Sequence, residues 1–178
     1  MLQKIAIATL PLLLFVPPAL ATPDPEIIKK LLETKECVAC DLRGADLRAT
    51  NLRNANLLRA NLRGATLAQA DLSNANLYLA NLTDVNLAEA NLTRANLRFS
   101  NLRAAQMTRA NLQEADLTFA NLSDANLRNT NLTTANLLNA RFLNTDLSGA
   151  NLTAVRGLNN VQIQSSPIFQ IPEPTNPN

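Results

Sequence analysis

From residue 40 to residue 154 the chain keeps a strict period of five, with no insertion. A large apolar residue stands at 42, 47, 52 and every fifth position to 152, giving 23 repeats. Leu fills this centre in 21 of them; Met107 and Phe142 are the exceptions. Two residues earlier stands Ala in 17 repeats, and the others there (Cys40, Thr50, Val85, Ser100, Thr130, Thr145) are also small. Directly before the centre stands Asn in 15 repeats and Asp in 5. A helix cannot use this pattern. At about 100° per residue, five residues step the Leu by about 140° and scatter it around the axis. The Ala-to-Leu offset of two suits an extended segment with both side chains on one face. Each pentapeptide therefore predicts one short strand-like side and a corner, with Ala and Leu inward. Such a unit cannot bury its apolar face alone, but stacked neighbours can, so the expected architecture is an all-β solenoid. The Asn and Asp are expected to serve the corners, where short amides and carboxylates hydrogen-bond nearby backbone.

Runs such as Ala55-Asn56-Leu57, Ala95-Asn96-Leu97 and Ala125-Asn126-Leu127 resemble the A(D/N)LXX pattern of pentapeptide repeat proteins. The resemblance covers about residues 40–154. It implies a right-handed quadrilateral parallel β-helix with four pentapeptides per coil and about six coils. At ~4.8 Å between stacked strands the rod would be roughly 25–30 Å long.

The outward positions add a second periodicity. Seven of them carry Leu, Phe or Tyr: Leu58, Tyr78, Leu79, Phe99, Phe119, Leu138 and Leu143. With a coil of twenty residues, all but Leu143 fall on one side. This exposed ladder is the candidate protein interface, because contiguous exposed apolar surface usually marks one. The competing expectation is that the C-terminal tail, with Val161, Ile163, Ile168, Phe169 and Ile171, covers it. Arg43, Arg48, Arg53, Arg59 and Arg63 crowd the first coils as a basic collar. A solvated rim that blunts the sheet edge accounts for it, and a dock for an acidic partner is the alternative.

The two ends depart from the repeat. Residues 1–21 have the form of a secretory signal peptide: Lys4, a short apolar stretch from Ile5 to Val16, Pro17 and Pro18, then Ala19-Leu20-Ala21 for cleavage. The stretch is too short for a membrane span. Residues 22–39 form an N-terminal cap and junction. Asp24 and Pro25 start a helix over 25–36, whose Ile27, Ile28, Leu31 and Leu32 turn to the first coil. Residues 40–157 form the β-helix, and 158–178 a C-terminal cap and disordered tail. Cys37 and Cys40 are the only cysteines. Both approach the interior, and in an exported chain a structural disulfide is the simplest outcome; a redox pair is the alternative, without the βαβ setting such pairs use.

Composition narrows the function. Leu, Ala and Asn number 34, 27 and 24 of 178 residues, and His and Trp are absent. That disfavours His-dependent catalysis and His-containing metal sites, and a filled β-helix offers no pocket. No cofactor or metal is expected. The formal net charge is only +2, and removing Lys4 leaves +1, which predicts neither a nucleic-acid binder nor a strong membrane-surface binder; with no second apolar stretch of spanning length, the mature chain is not expected to be membrane-embedded. The expectation is a non-catalytic exported binding or scaffold module, whose partner is another protein or a second copy. The family resemblance implies two further points. Members with a signal peptide, an N-terminal helix and early cysteines resemble those that cyanobacteria send to the thylakoid lumen or periplasm. Some other members mimic B-form DNA and protect topoisomerases, which requires an acidic cytoplasmic rod; that role and a plain structural spacer are the alternatives.

Overall fold

The computed structural model describes residues 23–157. The expected signal peptide, and the tail expected over 158–178, lie outside the described residues.

Parallel bridges join residues twenty apart, from Glu36 with Asn56 through Asn136 with Arg156. The chain is therefore a four-sided parallel β-helix, one pentapeptide per side. The extended part of each side is shorter than a strand. Only the residue before each centre bridges its counterparts, and the rest of the side is turn.

One repeat accounts for all its backbone donors. The Ala90 N–H closes a turn onto the Leu87 carbonyl at 3.1 Å, and Asn91 donates back one coil to Ala70 at 2.9 Å. Leu92 and Arg94 donate forward to Asn111 and Gln113 at 2.7 and 2.9 Å. That leaves the Thr93 N–H, which the Asn91 Oδ1 accepts at 3.2 Å. Every Asn or Asp before a centre except Asn56 takes this bond, from Arg43 onto Asp41 to Thr153 onto Asn151. Thr66, Gln106 and Arg141, which replace Asn there, do not. Full pairing is what a narrow coil demands, since an orphaned amide costs as much as a lost hydrogen bond.

The second residue after each centre has positive φ, for example Arg94 at 58° and Phe99 at 56°. Glycine holds this position only at 44, 64 and 149. Asn or Asp, which visit the left-handed region readily, hold it at 54, 74, 84, 124, 129, 139 and 144, and at the remaining positions stacking imposes the turn on residues with little preference for it.

The inward Leu and Ala form one continuous core, with Leu42 through Leu117 fully buried at every Leu centre. Polar residues at the small inward position satisfy their hydroxyls on backbone. Ser100 Oγ donates to the Leu97 carbonyl at 2.7 Å, and Thr130 Oγ1 to that of Met107 at 2.9 Å.

Helix α1 spans Pro25–Thr34, with Asp24 Oδ1 accepting the Glu26 N–H at 2.9 Å. It ends two residues before position 36. Lys35 turns left-handed at φ 62°, and Glu36 already bridges Asn56 in the ladder. Leu31 is buried, and Ile27 and Ile28 pack against the core. Leu32 differs from expectation: it is 37% exposed, because the helix turns it away from the first coil. Lys35 Nζ donates to the Asn51 carbonyl at 2.5 Å, on the edge of that coil.

Candidate interaction surface

With bridges at twenty-residue intervals, the side after centres 57, 77, 97, 117 and 137 carries Leu58, Tyr78, Leu79, Phe99, Phe119 and Leu138 together. They form two adjoining columns. Leu58, Tyr78 and Leu138 occupy the first outward position; Leu79, Phe99 and Phe119 occupy the second, left-handed one. The Phe99 and Phe119 rings stack at 4.9 Å with an interplanar angle of 11°. Tyr78 meets Phe99 edge-on at 5.6 Å, and the Arg98 guanidinium lies 5.9 Å from the Phe99 ring centre. The contact leaves Phe99 40% and Phe119 48% exposed. Stacking one coil upon the next thus aligns the rings but cannot bury them, because no chain lies above this side in the described residues.

The first column begins one coil earlier than the period-five reading placed it. Glu36, Cys37, Val38 and Ala39 make a repeat of their own, with Cys37 buried at the centre and Val38 50% exposed above Leu58. Sequence reasoning missed Val38 because Glu and Cys replace the expected Asn and Leu. The phase of Cys37 was the available signal.

Most of the charge on the other three sides stands in Arg–carboxylate pairs, and one further pair, Arg98–Asp116 at 3.8 Å, lies on the ladder side. Arg43 and Arg48 bind Asp41 and Asp46 of their own repeats, each at 2.6 Å. Neighbouring coils are linked by Arg63–Asp84, Arg94–Glu114, Arg103–Asp124, Arg109–Glu89 and Arg128–Asp146, at 2.8–3.6 Å. The collar arginines spread over all four sides rather than meeting in one patch. Among the described residues only Arg53 and Arg59 of the five form no ion pair.

Hydrogen bonding makes several of these carboxyls more acidic. The Arg48 guanidinium beside Asp46 holds its pKa down to about 2, and Arg43 lowers Asp41 in the same way. Hydrogen bonds from Gln69 and Arg109 lower Glu89, Arg94 lowers Glu114, and Ser148 and Arg128 lower Asp146. A group whose folded pKa is depressed contributes stability that is fully present above its unfolded pKa of about 4. That contribution is lost as the pH falls through the folded value. With no histidine in the chain, the denaturant midpoint should stay level from about pH 5 to 8 and fall between about pH 4 and 2. A transition inside the level range would contradict this reading.

Cys37 and Cys40 are joined as a disulfide, with Cα atoms 5.4 Å apart, across the turn made by Val38 and Ala39. The closed loop is so short that reduction should cost no more than about 2 kcal/mol. Denaturant unfolding with and without reductant measures this, and a loss of cooperative folding on reduction would overturn it.

Among the described residues no group of His, Cys, Asp or Glu side chains is placed to hold a metal ion, and no helix is long and apolar enough to cross a membrane. A shallow open groove at one corner, lined by Gln113, Glu114, Asp116, Thr134, Asn136 and Arg156, gathers no converging catalytic set.

Residues 40–77, 80–118 and 115–153 match the family model described as pentapeptide repeats, in eight copies. A pentapeptide repeat protein of the Arabidopsis thaliana thylakoid lumen is 37% identical, over 52% of this chain and 65% of its own, with a TM-score of 0.52. The match thus spans just under two thirds of that protein's length. QnrB1, a plasmid-mediated fluoroquinolone resistance protein, is 24% identical over 68% of this chain and 67% of its own, with a TM-score of 0.52. A pentapeptide repeat protein of the cyanobacterium Cyanothece 51142 is 30% identical over 76% of this chain and 96% of its own, with a TM-score of 0.32. No curated protein matches the chain.

Proposed function

Given that the chain belongs to the pentapeptide repeat family and has that family's right-handed quadrilateral β-helix, we propose that it is a non-catalytic protein-binding or scaffold module. Its interface is the apolar side of the helix. The exposed stack of Phe99 on Phe119, with Leu79 and Leu138 beside it, carries this reading. Rigid aromatic anchors on a fixed backbone lose little conformational entropy on binding, and most of the charge on the neighbouring sides is paired within the chain. Six coils closed at one end by α1 and Lys35 form the rod that displays the surface.

Export to the thylakoid lumen or periplasm is part of the proposal. The form of residues 1–21, a disulfide suited to an oxidising compartment and the likeness to a lumenal plant protein support it. DNA mimicry would need a dense field of free carboxylates. Here eight of the 14 carboxylates pair with arginine, and the net charge is +2.

Phe99→Ala with Phe119→Ala tests the interface. The double variant should keep its far-UV circular dichroism and unfolding midpoint, yet lose the partner captured by crosslinking in the native compartment. Undiminished capture would remove the ladder from the function.

A further inference from the structure

The described chain ends on the side that carries the aromatic ladder. Arg156 bridges Asn136, and a Cβ at Gly157 would fall 2.6 Å from both the Cα and the N of Leu138. Gly157 therefore rests directly on the Leu138 backbone. Counting on by twenty from Leu138 reaches Leu158, the next residue of the chain. From there 21 residues remain, containing Val161, Ile163, Ile168, Phe169, Ile171 and four prolines, with Glu173 their one charged side chain.

Ahead of this exit, in order along the stack, lie Leu138, Phe119, Phe99 and Leu79, each at least 37% exposed. Three rungs at ~4.8 Å place Leu79 about 14 Å from Leu138, while the 14 residues 158–171 can reach about 45 Å when extended. The segment has the length and the apolar side chains to cover the ladder, with almost no charge to desolvate. Pro167 within it, and Pro172 just after it, restrict the free chain locally, which reduces the entropy lost on ordering.

We propose that residues 158–171 lie along the Leu138–Phe119–Phe99–Leu79 ladder of their own chain and compete with the partner for it. The competition rests on the reading of this side as the interface; the intrachain contact does not.

A photocrosslinking benzoyl-phenylalanine in place of Phe99, in the full chain, tests the contact. Irradiation of dilute protein should give adducts of monomer mass that map to residues 158–171. Ile168→Asp with Phe169→Asp should abolish them. Tyr78 is the one tyrosine and there is no tryptophan, so its fluorescence reports the ladder directly, and iodide should quench it more strongly in that double variant. Dimer adducts, which would mean a second copy occupies the ladder, overturn the proposal. So do adducts elsewhere, absent adducts or unchanged quenching. The interface reading fails separately: tail adducts would form, but partner capture would ignore Phe99→Ala and Phe119→Ala. If instead capture needs those rings and no tail adduct forms, the interface stands and the competing tail falls.

Discussion

Leu92→Ala should destabilise the protein by about 3–4 kcal/mol. Leu92 is fully buried in the middle of the stack, with Leu72 above it and Leu112 below, both also fully buried. Removing a buried side chain loses its transfer free energy and leaves a cavity, whose cost depends on how far the surroundings can collapse. Here collapse is resisted from both sides. The bridges Asp71–Asn91 and Asn91–Asn111 fix the rung spacing, and each coil is hydrogen-bonded to the next. Leu92→Met should cost less than about 1.5 kcal/mol, because Met107 already fills a centre without exposure. Leu152→Ala should also cost less, since the last coil leaves Leu152 partly exposed. Denaturant unfolding followed by circular dichroism gives all three values. A loss below about 1 kcal/mol for Leu92→Ala would mean that the coils can close up after all.

Asn81→Leu should cost about 2 kcal/mol. Asn81 Oδ1 accepts the Thr83 N–H at 3.2 Å and the Thr83 hydroxyl at 2.7 Å. Leucine removes the acceptor of both bonds and strands the Thr83 amide in a part-buried turn. Asn81→Asp keeps the acceptor geometry that Asp41, Asp46, Asp71, Asp116 and Asp146 already use. Its neighbours on adjacent coils are the neutral Asn61 and Asn101, so near pH 7 it should stay within about 0.5 kcal/mol of the parent. If the two substitutions cost the same, the side-chain bond to Thr83 contributes nothing and the prevalence of Asn has another cause.

The inward half of the molecule was legible because its chemistry is local and repeated. Leu and Ala two apart can share a face only in an extended segment, and Asn at a fixed offset has few uses beyond a backbone amide. The twenty-residue coil was legible from the outside, where Tyr78, Phe99 and Phe119 cluster only at that interval. Three things were not legible. The repeat at Glu36–Ala39 hides behind untypical residues: the phase of Cys37 hints at it, but the pairing of Glu36 with Asn56 is what establishes it. The left-handed turn falls on Arg94, Glu114 and Phe119, which do not favour positive φ on their own; it is imposed by the stacked coils. The ion pairs between coils join Arg and carboxylate residues eighteen to twenty-one apart, as in Arg128–Asp146, Arg94–Glu114 and Arg103–Asp124, offsets that have meaning only once the coil length is known.

The closed hydrogen-bond pattern of a single repeat also restricts how such a chain can change length. Because each pentapeptide supplies and consumes the same set of backbone bonds, losing five residues leaves the interior continuous, but it turns everything downstream by a quarter revolution. A deletion between Tyr78 and Phe99 would preserve the rod while sending Phe99 and Phe119 to a different wall from Tyr78. Twenty residues is the smallest step that lengthens or shortens the rod and keeps every wall aligned. Interior and exterior thus tolerate different units of insertion, and a lineage that gains or loses single repeats can rewrite its surface without disturbing its core.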